Sequence, residues 1–214
     1  MKKILVIGSG GRVGSALVGK LAGLDYTVLA GSRHENNSST SENISLITFD
    51  LLWDVDRMVE AMKENIDAIY FVAGSKGKNL LQIDLHGAVK SIQAAEKAGV
   101  NRFILLSSVF ALEPSHWNES FLKNITDYNI AKHYADLYLT SQSSLNYTIL
   151  QPGALKEGNG TGKITVDVKE PLSNSIANVV DTLVAVLEDD GTIGKVIMMH
   201  DGETPIKDAL KQVK

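Results

Sequence analysis

Short, β-branched apolar runs alternate with longer stretches of helical periodicity along most of the chain. KILVIG (3–8) predicts a buried strand and residues 13–24 a helix; TVLAG (27–31) is a second strand. SLITF (45–49) is a third strand, followed by a helix over 53–63. AIYFVAG (68–74) is a fourth, and a long helix runs over 79–98 to the stop signal Ala98-Gly99. RFILLSS (102–108), a helix over 125–141 and YTILQPG (147–153) complete the series. The runs are continuously apolar rather than alternating, as parallel strands covered on both faces require. Strand–helix–strand repetition predicts an α/β fold, a doubly wound parallel sheet with right-handed crossovers.

Between the second and third strands lies the polar, low-complexity loop SRHENNSSTSEN (32–43). After Pro152-Gly153 the pattern changes. KEGNGTG (156–162) reads as a loop, and ITVDV (164–168) alternates like an exposed strand. Ser173 or Ser175 can cap a helix reaching about Glu188, and GKVIMMH (194–200) is a last strand. Thr204-Pro205 suggests an N-cap with proline at the first helical position. Residues 154–214 are too few for a core of their own, so 1–214 is expected to be one domain with a small C-terminal extension on the substrate side.

The chain of 214 residues carries a formal net charge of −4, which argues against nucleic acid or an anionic membrane as main partner. It has no cysteine, so neither disulfide nor thiolate chemistry is available. The opening MKKILVIGSGG is apolar only as far as Ile7, and no later segment approaches a membrane span. A cytoplasmic location is the expectation. His86, His133 and His200 lack metal-ligand spacing, and no metal is expected.

VIGSGGRVGSAL (6–17) sets a glycine cluster between the first strand and first helix. Gly-x-Gly-x-x-Gly from Gly8 fails, because Val13 stands where its last glycine would fall. Gly-x-x-Gly-x-x-Gly fits through Gly8, Gly11 and Gly14, with Gly10 and Arg12 inside the loop. Such a turn brings backbone amides and a helix N-terminus against a pyrophosphate, the signature of a dinucleotide site. An NAD site offers a carboxylate at the end of the second strand, whereas here Ser32 and Arg33 stand there and the first acid is Glu35. A guanidinium suits a 2′-phosphate, and Arg12 can join it, so NADP (NADPH) is expected over NAD.

Ligands of such sheets lie beyond the carboxyl ends of the strands. There stand Ala73 and Gly74 after the fourth strand, Ser107 and Ser108 after the fifth, and Tyr128 and Lys132 on the next helix. Residues four apart share a helix face, so Tyr128 and Lys132 can enter one cleft.

The ordered set of Gly8-x-x-Gly-x-x-Gly14, Ser107-Ser108, Tyr128-x-x-x-Lys132 and Pro152-Gly153 resembles the short-chain dehydrogenase/reductase superfamily. The likeness is narrower to its compact atypical members, near flavin reductase/biliverdin reductase B and the NmrA-like group, and covers nearly the whole chain. The stretch TDYNIAKHYADLYLTSQSSLNYTILQPGAL (126–155) carries it most closely. The resemblance implies a Rossmann fold and NAD(P) binding. It implies that Ser108 bonds the substrate oxygen, Tyr128 acts as general acid/base, and Lys132 binds the nicotinamide ribose and lowers the tyrosine pKa. It also implies that Pro152, Gly153, Ala154 and Leu155 lie along the nicotinamide, and that Asp50 and Leu51 contact the adenine. Gly10 departs from the family's usual threonine, and Ser108 and Tyr128 stand 20 residues apart, nearer the extended members.

The leading expectation is an NADP-dependent oxidoreductase acting on a small carbonyl, alcohol or quinone-like substrate, as monomer or homodimer. A redox sensor that binds NADPH/NADP without turnover, and an NAD(P)-dependent epimerase using the same residues, are the alternatives. His116 and Trp117, beside Phe121, lie on a loop expected over the pocket, either to touch substrate or to anchor the loop.

Overall fold

The computed structural model describes residues 1–33 and 42–213. In chain order these form β1 (Lys3–Ile7), α1 (Arg12–Ala22), β2 (Thr27–Ser32), β3 (Ile44–Thr48), α2 (Val55–Ala61) and β4 (Ala68–Phe71). Next come α3 (His86–Ala98), β5 (Arg102–Leu106), α4 (Thr126–Gln142), β6 (Asn146–Pro152), β7 (Ala154–Lys156) and β8 (Lys163–Val166). The chain closes with β9 (Ser173–Ser175), α5 (Ile176–Glu188), β10 (Lys195–Asp201), β11 (Thr204–Pro205) and α6 (Ile206–Leu210).

Among the described residues the main sheet has nine strands in the order β11-β8-β10-β6-β5-β4-β1-β2-β3. From β3 to β10 every pairing is parallel, while β8 runs antiparallel to both β10 and β11. The chain builds outward from β1 to β3, then crosses over and builds the other way from β4. That reversal opens a crevice beyond the carboxyl ends of β1 and β4.

Apolar residues along each strand alternate between two covered faces. Ile4, Val6, Tyr70 and Ile104 meet Leu17 and Leu21 of α1 and Val179 and Leu183 of α5. Leu5, Ile7, Phe71 and Phe103 meet Met58 of α2, Ile92 of α3 and Leu139 of α4. Each such buried side chain contributes about 1.5–3 kcal/mol. This two-sided burial produces the continuous apolar runs of the sequence.

Several expected boundaries shift for identifiable reasons. β4 ends at Phe71, not at 74, because Val72 makes the last ladder bond, to the Ile7 carbonyl at 3.0 Å. The buried carboxylate of Asp84 then accepts from the Ser75 amide at 3.0 Å and draws the chain off the sheet. The helix expected over 79–98 is two pieces, a π-helical turn at Leu80–Leu85 and then α3. α2 starts after Asp54, whose carboxylate accepts from the Arg57 amide at 2.8 Å. That leaves Trp53 outside α2, packed on Phe49 and beneath the Arg57 guanidinium. Of the two serines, Ser175 caps α5, accepting from the Asn178 amide at 3.1 Å. Thr204 and Pro205 pair with β8 instead of opening a helix, so α6 begins one residue after the proline. The parallel pair β7–β9 has no counterpart in the sequence pattern.

Candidate functional site

The glycine turn is dictated by space. Gly8 has φ +95°, and a Cβ there would lie 2.6 Å from the Ala73 Cα. A Cβ on Gly14 would lie 2.1 Å from the Gly8 carbonyl oxygen. Only glycine at both positions lets α1 start this close to β1 and β4. The Gly8 and Ser9 amides donate to Gly31 O at 3.0 and 3.1 Å, and Gly11 donates back to Gly8 O at 3.0 Å. Gly11 is the N-cap of α1 and brings no side-chain cap, so the first-turn amides of Arg12, Val13 and Gly14 stand open. Val13 itself points into the core.

Beside this turn lies a cleft of about 470 Å³, lined by Gly8, Gly10 and Gly11, by Ser32 and Arg33, by Leu51, and by Ala73 and Gly74. Lys76 and Lys78 complete its rim, and its described lining contains three cations and no carboxylate. Lys76 and Gly77 both have positive φ (+56° and +78°), which folds the segment after β4 back over the cleft. Asp50 turns its carboxylate to the Leu52 amide at 2.9 Å, leaving Leu51 as the apolar wall. Arg12 does not join Arg33; it pairs with Glu157, in the loop after β7, at 3.1 Å. Glu35 lies outside the described residues. Open helix amides, a turn that excludes Cβ atoms and a cationic rim fit the pyrophosphate and adenosine of a dinucleotide.

Further along the same edge, Tyr128 and Lys132 share a face of α4, with the ammonium 5.6 Å from the centre of the phenol ring. Lys132 is buried (3% exposed) and donates to the Leu106 carbonyl at 3.1 Å. The two adjacent serines separate sharply. Ser107 Oγ donates to the Asp136 carboxylate at 2.7 Å, while the Ser108 hydroxyl has no protein partner among the described residues. Gln151 Nε2 donates to the same Asp136 oxygen at 2.8 Å. Asp136 is fully buried, and that burial pushes its carboxyl up to about 7 against the opposing pull of Ser107, Gln151 and Lys132. The sequence reading missed Asp136; its spacing, one turn beyond Lys132 on the same face, was the available signal.

Beyond β6 the backbone is held tightly. The Gly153 amide donates to Asn174 Oδ1 at 2.8 Å, and a Cβ on Gly153 would lie 1.7 Å from the Leu172 carbonyl oxygen. Pro152 accepts from the Val109 amide at 2.9 Å, and Ala154 and Leu155 run beside β9. Asn174 was also missed, because β9 has no pattern that marks it.

The segment after β5 turns at Phe110, which is buried with φ +57°. His116 stacks on Phe110 with ring centres 4.2 Å apart, and Trp117 Nε1 donates to the Phe110 carbonyl at 2.9 Å. Trp117 therefore anchors the loop. His133 Nδ1 lies 2.9 Å from the Ala111 carbonyl and holds the same turn. Among the described residues no group of three or more His, Cys, Asp or Glu is placed to hold a metal ion, and no helix is long and apolar enough to cross a membrane.

A glycine turn at a helix N-terminus, at the switch point of a parallel sheet, defines a Rossmann-type nucleotide-binding protein. The chain belongs to the NAD(P)H-binding family, whose model matches residues 8–190. The oxidoreductase YlbE of Lactococcus lactis superimposes with a TM-score of 0.94 at 47% identity, covering 98% of this chain and 95% of that one. A Bacillus subtilis protein described as an uncharacterized sugar epimerase, YhfK, is 34% identical over 99% of this chain and 100% of its own. The UPF0659 protein YMR090W of Saccharomyces cerevisiae is 32% identical over 96% of each. The resemblance to compact atypical short-chain dehydrogenases/reductases is borne out at this level.

Proposed function

We propose that the protein is an NADPH-dependent oxidoreductase for a small carbonyl, alcohol or quinone-like substrate, with Tyr128 as general acid/base. The observation that carries this reading is the buried Lys132 ammonium, fixed on Leu106 O and set against the Tyr128 ring. When bound, the nicotinamide supplies or takes up a hydride at the substrate carbon. In reduction the Tyr128 phenol gives its proton to the substrate oxygen, and in oxidation it takes that proton back. Lys132 stabilises the negative charge left on the phenol oxygen. Ser108, whose hydroxyl has no partner among the described residues, donates to the substrate oxygen; Ser107 is committed to Asp136. Arg33, Lys76 and Lys78 around the nucleotide cleft support NADPH over NADH. Residues 1–214 act as one unit in this reading, with β7 to α6 forming the substrate side.

Epimerisation through transient oxidation is the second reading, favoured by the description of the YhfK relative. The two differ in what happens to the cofactor. A screen of carbonyl and quinone substrates with NADPH should show net oxidation of the cofactor that disappears in Tyr128→Phe. Turnover with no net change in cofactor redox state would favour the epimerase, and cofactor binding with no turnover at all would leave a sensor.

A further inference from the structure

A buried carboxyl one turn from Lys132 that the proposed chemistry leaves unused is that of Asp136. It is 0% exposed and lies one turn beyond Lys132 on the same face of α4. Its Oδ2 accepts from both Ser107 and Gln151, two neutral donors. Its Oδ1 is buried without a partner among the described residues. Lys132, equally buried, has an uncharged carbonyl as its hydrogen-bond partner and no ion pair among the described residues. The two side chains reach consecutive residues of the same strand end, Leu106 and Ser107. Each is a buried ionisable group that lacks an opposite charge in hydrogen-bond contact among the described residues.

Other polar groups on this side are committed elsewhere. From the π-helical turn, Asp84 turns to the Ser75 amide; from α3, Lys90 donates to the Trp53 carbonyl and Gln93 to the Tyr138 hydroxyl. On α4 itself, His133 faces the Ala111 carbonyl. Lys132 is the cation whose field acts on Asp136.

We propose that Asp136 is a positioning residue, a switchable counter-charge that sets how strongly the Lys132 ammonium attracts a nucleotide ribose and the Tyr128 oxygen. With Asp136 neutral, the ammonium acts at full strength on the cleft. With Asp136 ionised, its charge is partly balanced inside the protein and cofactor binding weakens. Burial pushes the Asp136 carboxyl up to about 7, which sets the expected change across neutral pH. This proposal rests on the reading of Lys132 as a cofactor contact.

The test pairs two measurements. Carboxyl-carbon NMR follows Asp136 titration in wild type and in Lys132→Met, and NADPH fluorescence titrations on either side of neutral pH compare wild type with Asp136→Asn. The asparagine oxygen can still accept from Ser107 and Gln151. Expected are an Asp136 midpoint near neutral pH that moves upward in Lys132→Met, and a several-fold fall in wild-type NADPH affinity through that midpoint that is absent in Asp136→Asn. An unmoved midpoint, or the same pH profile in both proteins, overturns the proposal while NADPH binding itself leaves the cofactor reading standing. Wild type that binds no NADPH overturns both. Should Asp136→Asn fail to fold, wild-type NADPH affinity followed across the Asp136 midpoint still decides: a several-fold fall is expected, and an unchanged affinity overturns the proposal.

Discussion

Lys132 reaches from α4 across to the last residue of β5, donating to the Leu106 carbonyl at 3.1 Å. The bond ties α4 to the end of β5 one turn from Tyr128, whose ring centre lies 5.6 Å from the ammonium. Replacing Lys132 by methionine keeps the length of the stem and removes the charge. NADPH affinity should fall by about tenfold or more, the worth of a hydrogen bond to a charged group. Tyr128→Phe should leave that affinity nearly unchanged and slow turnover by roughly a hundredfold or more. Fluorescence titration and steady-state rates on the same preparations separate the two effects.

The glycine turn predicts opposite outcomes for two glycines of one helix. Gly14→Ala drives a Cβ into the Gly8 carbonyl oxygen, so the turn must open. It should cost at least about 2 kcal/mol and abolish cofactor binding. A Cβ on Gly19 meets nothing within 4 Å. Gly19→Ala should therefore stabilise the protein by about 0.5–1 kcal/mol and leave binding intact. Urea unfolding midpoints read both.

The parts of this fold visible in the sequence are those whose cause is local. Ile4 to Ile7 read as a buried strand because both faces are covered, and Gly8, Gly11 and Gly14 read as a nucleotide turn because their spacing alone carries the geometry. What was hidden depends on distant partners. Asp84 and Ser75 end β4 early through a contact no periodicity announces. Asp136, on α4, meets Ser107 just beyond β5 and Gln151 of β6, and Asn174 meets Gly153. The division of labour between Ser107 and Ser108 needed the third dimension, since adjacent identical residues are indistinguishable until one of them is seen bonded.

Asp136 should also shape stability against pH. Its folded carboxyl, pushed to about 7 from 3.8, holds its proton longer than the unfolded chain does. That stabilisation is complete below about pH 4 and is lost as pH rises to about 7, at up to roughly 1.4 kcal/mol per unit. Asp136→Asn should gain on wild type steadily across that window, and guanidinium melts at several pH values measure the difference.

Arg33, just after β2, and Lys76, after β4, both line the cleft beside the glycine turn. If both face the 2′-phosphate, Arg33→Ala and Lys76→Ala should each weaken NADPH about tenfold and barely change NADH. Equal losses for both cofactors would instead place these cations on the pyrophosphate.

The most direct measurement is a fluorescence titration of the wild-type protein with NADPH and NADH, repeated on Arg33→Ala. The expected result is micromolar NADPH binding, clearly tighter than NADH, with the preference erased in the variant. Absence of binding by either cofactor at such concentrations would contradict the oxidoreductase reading at its base.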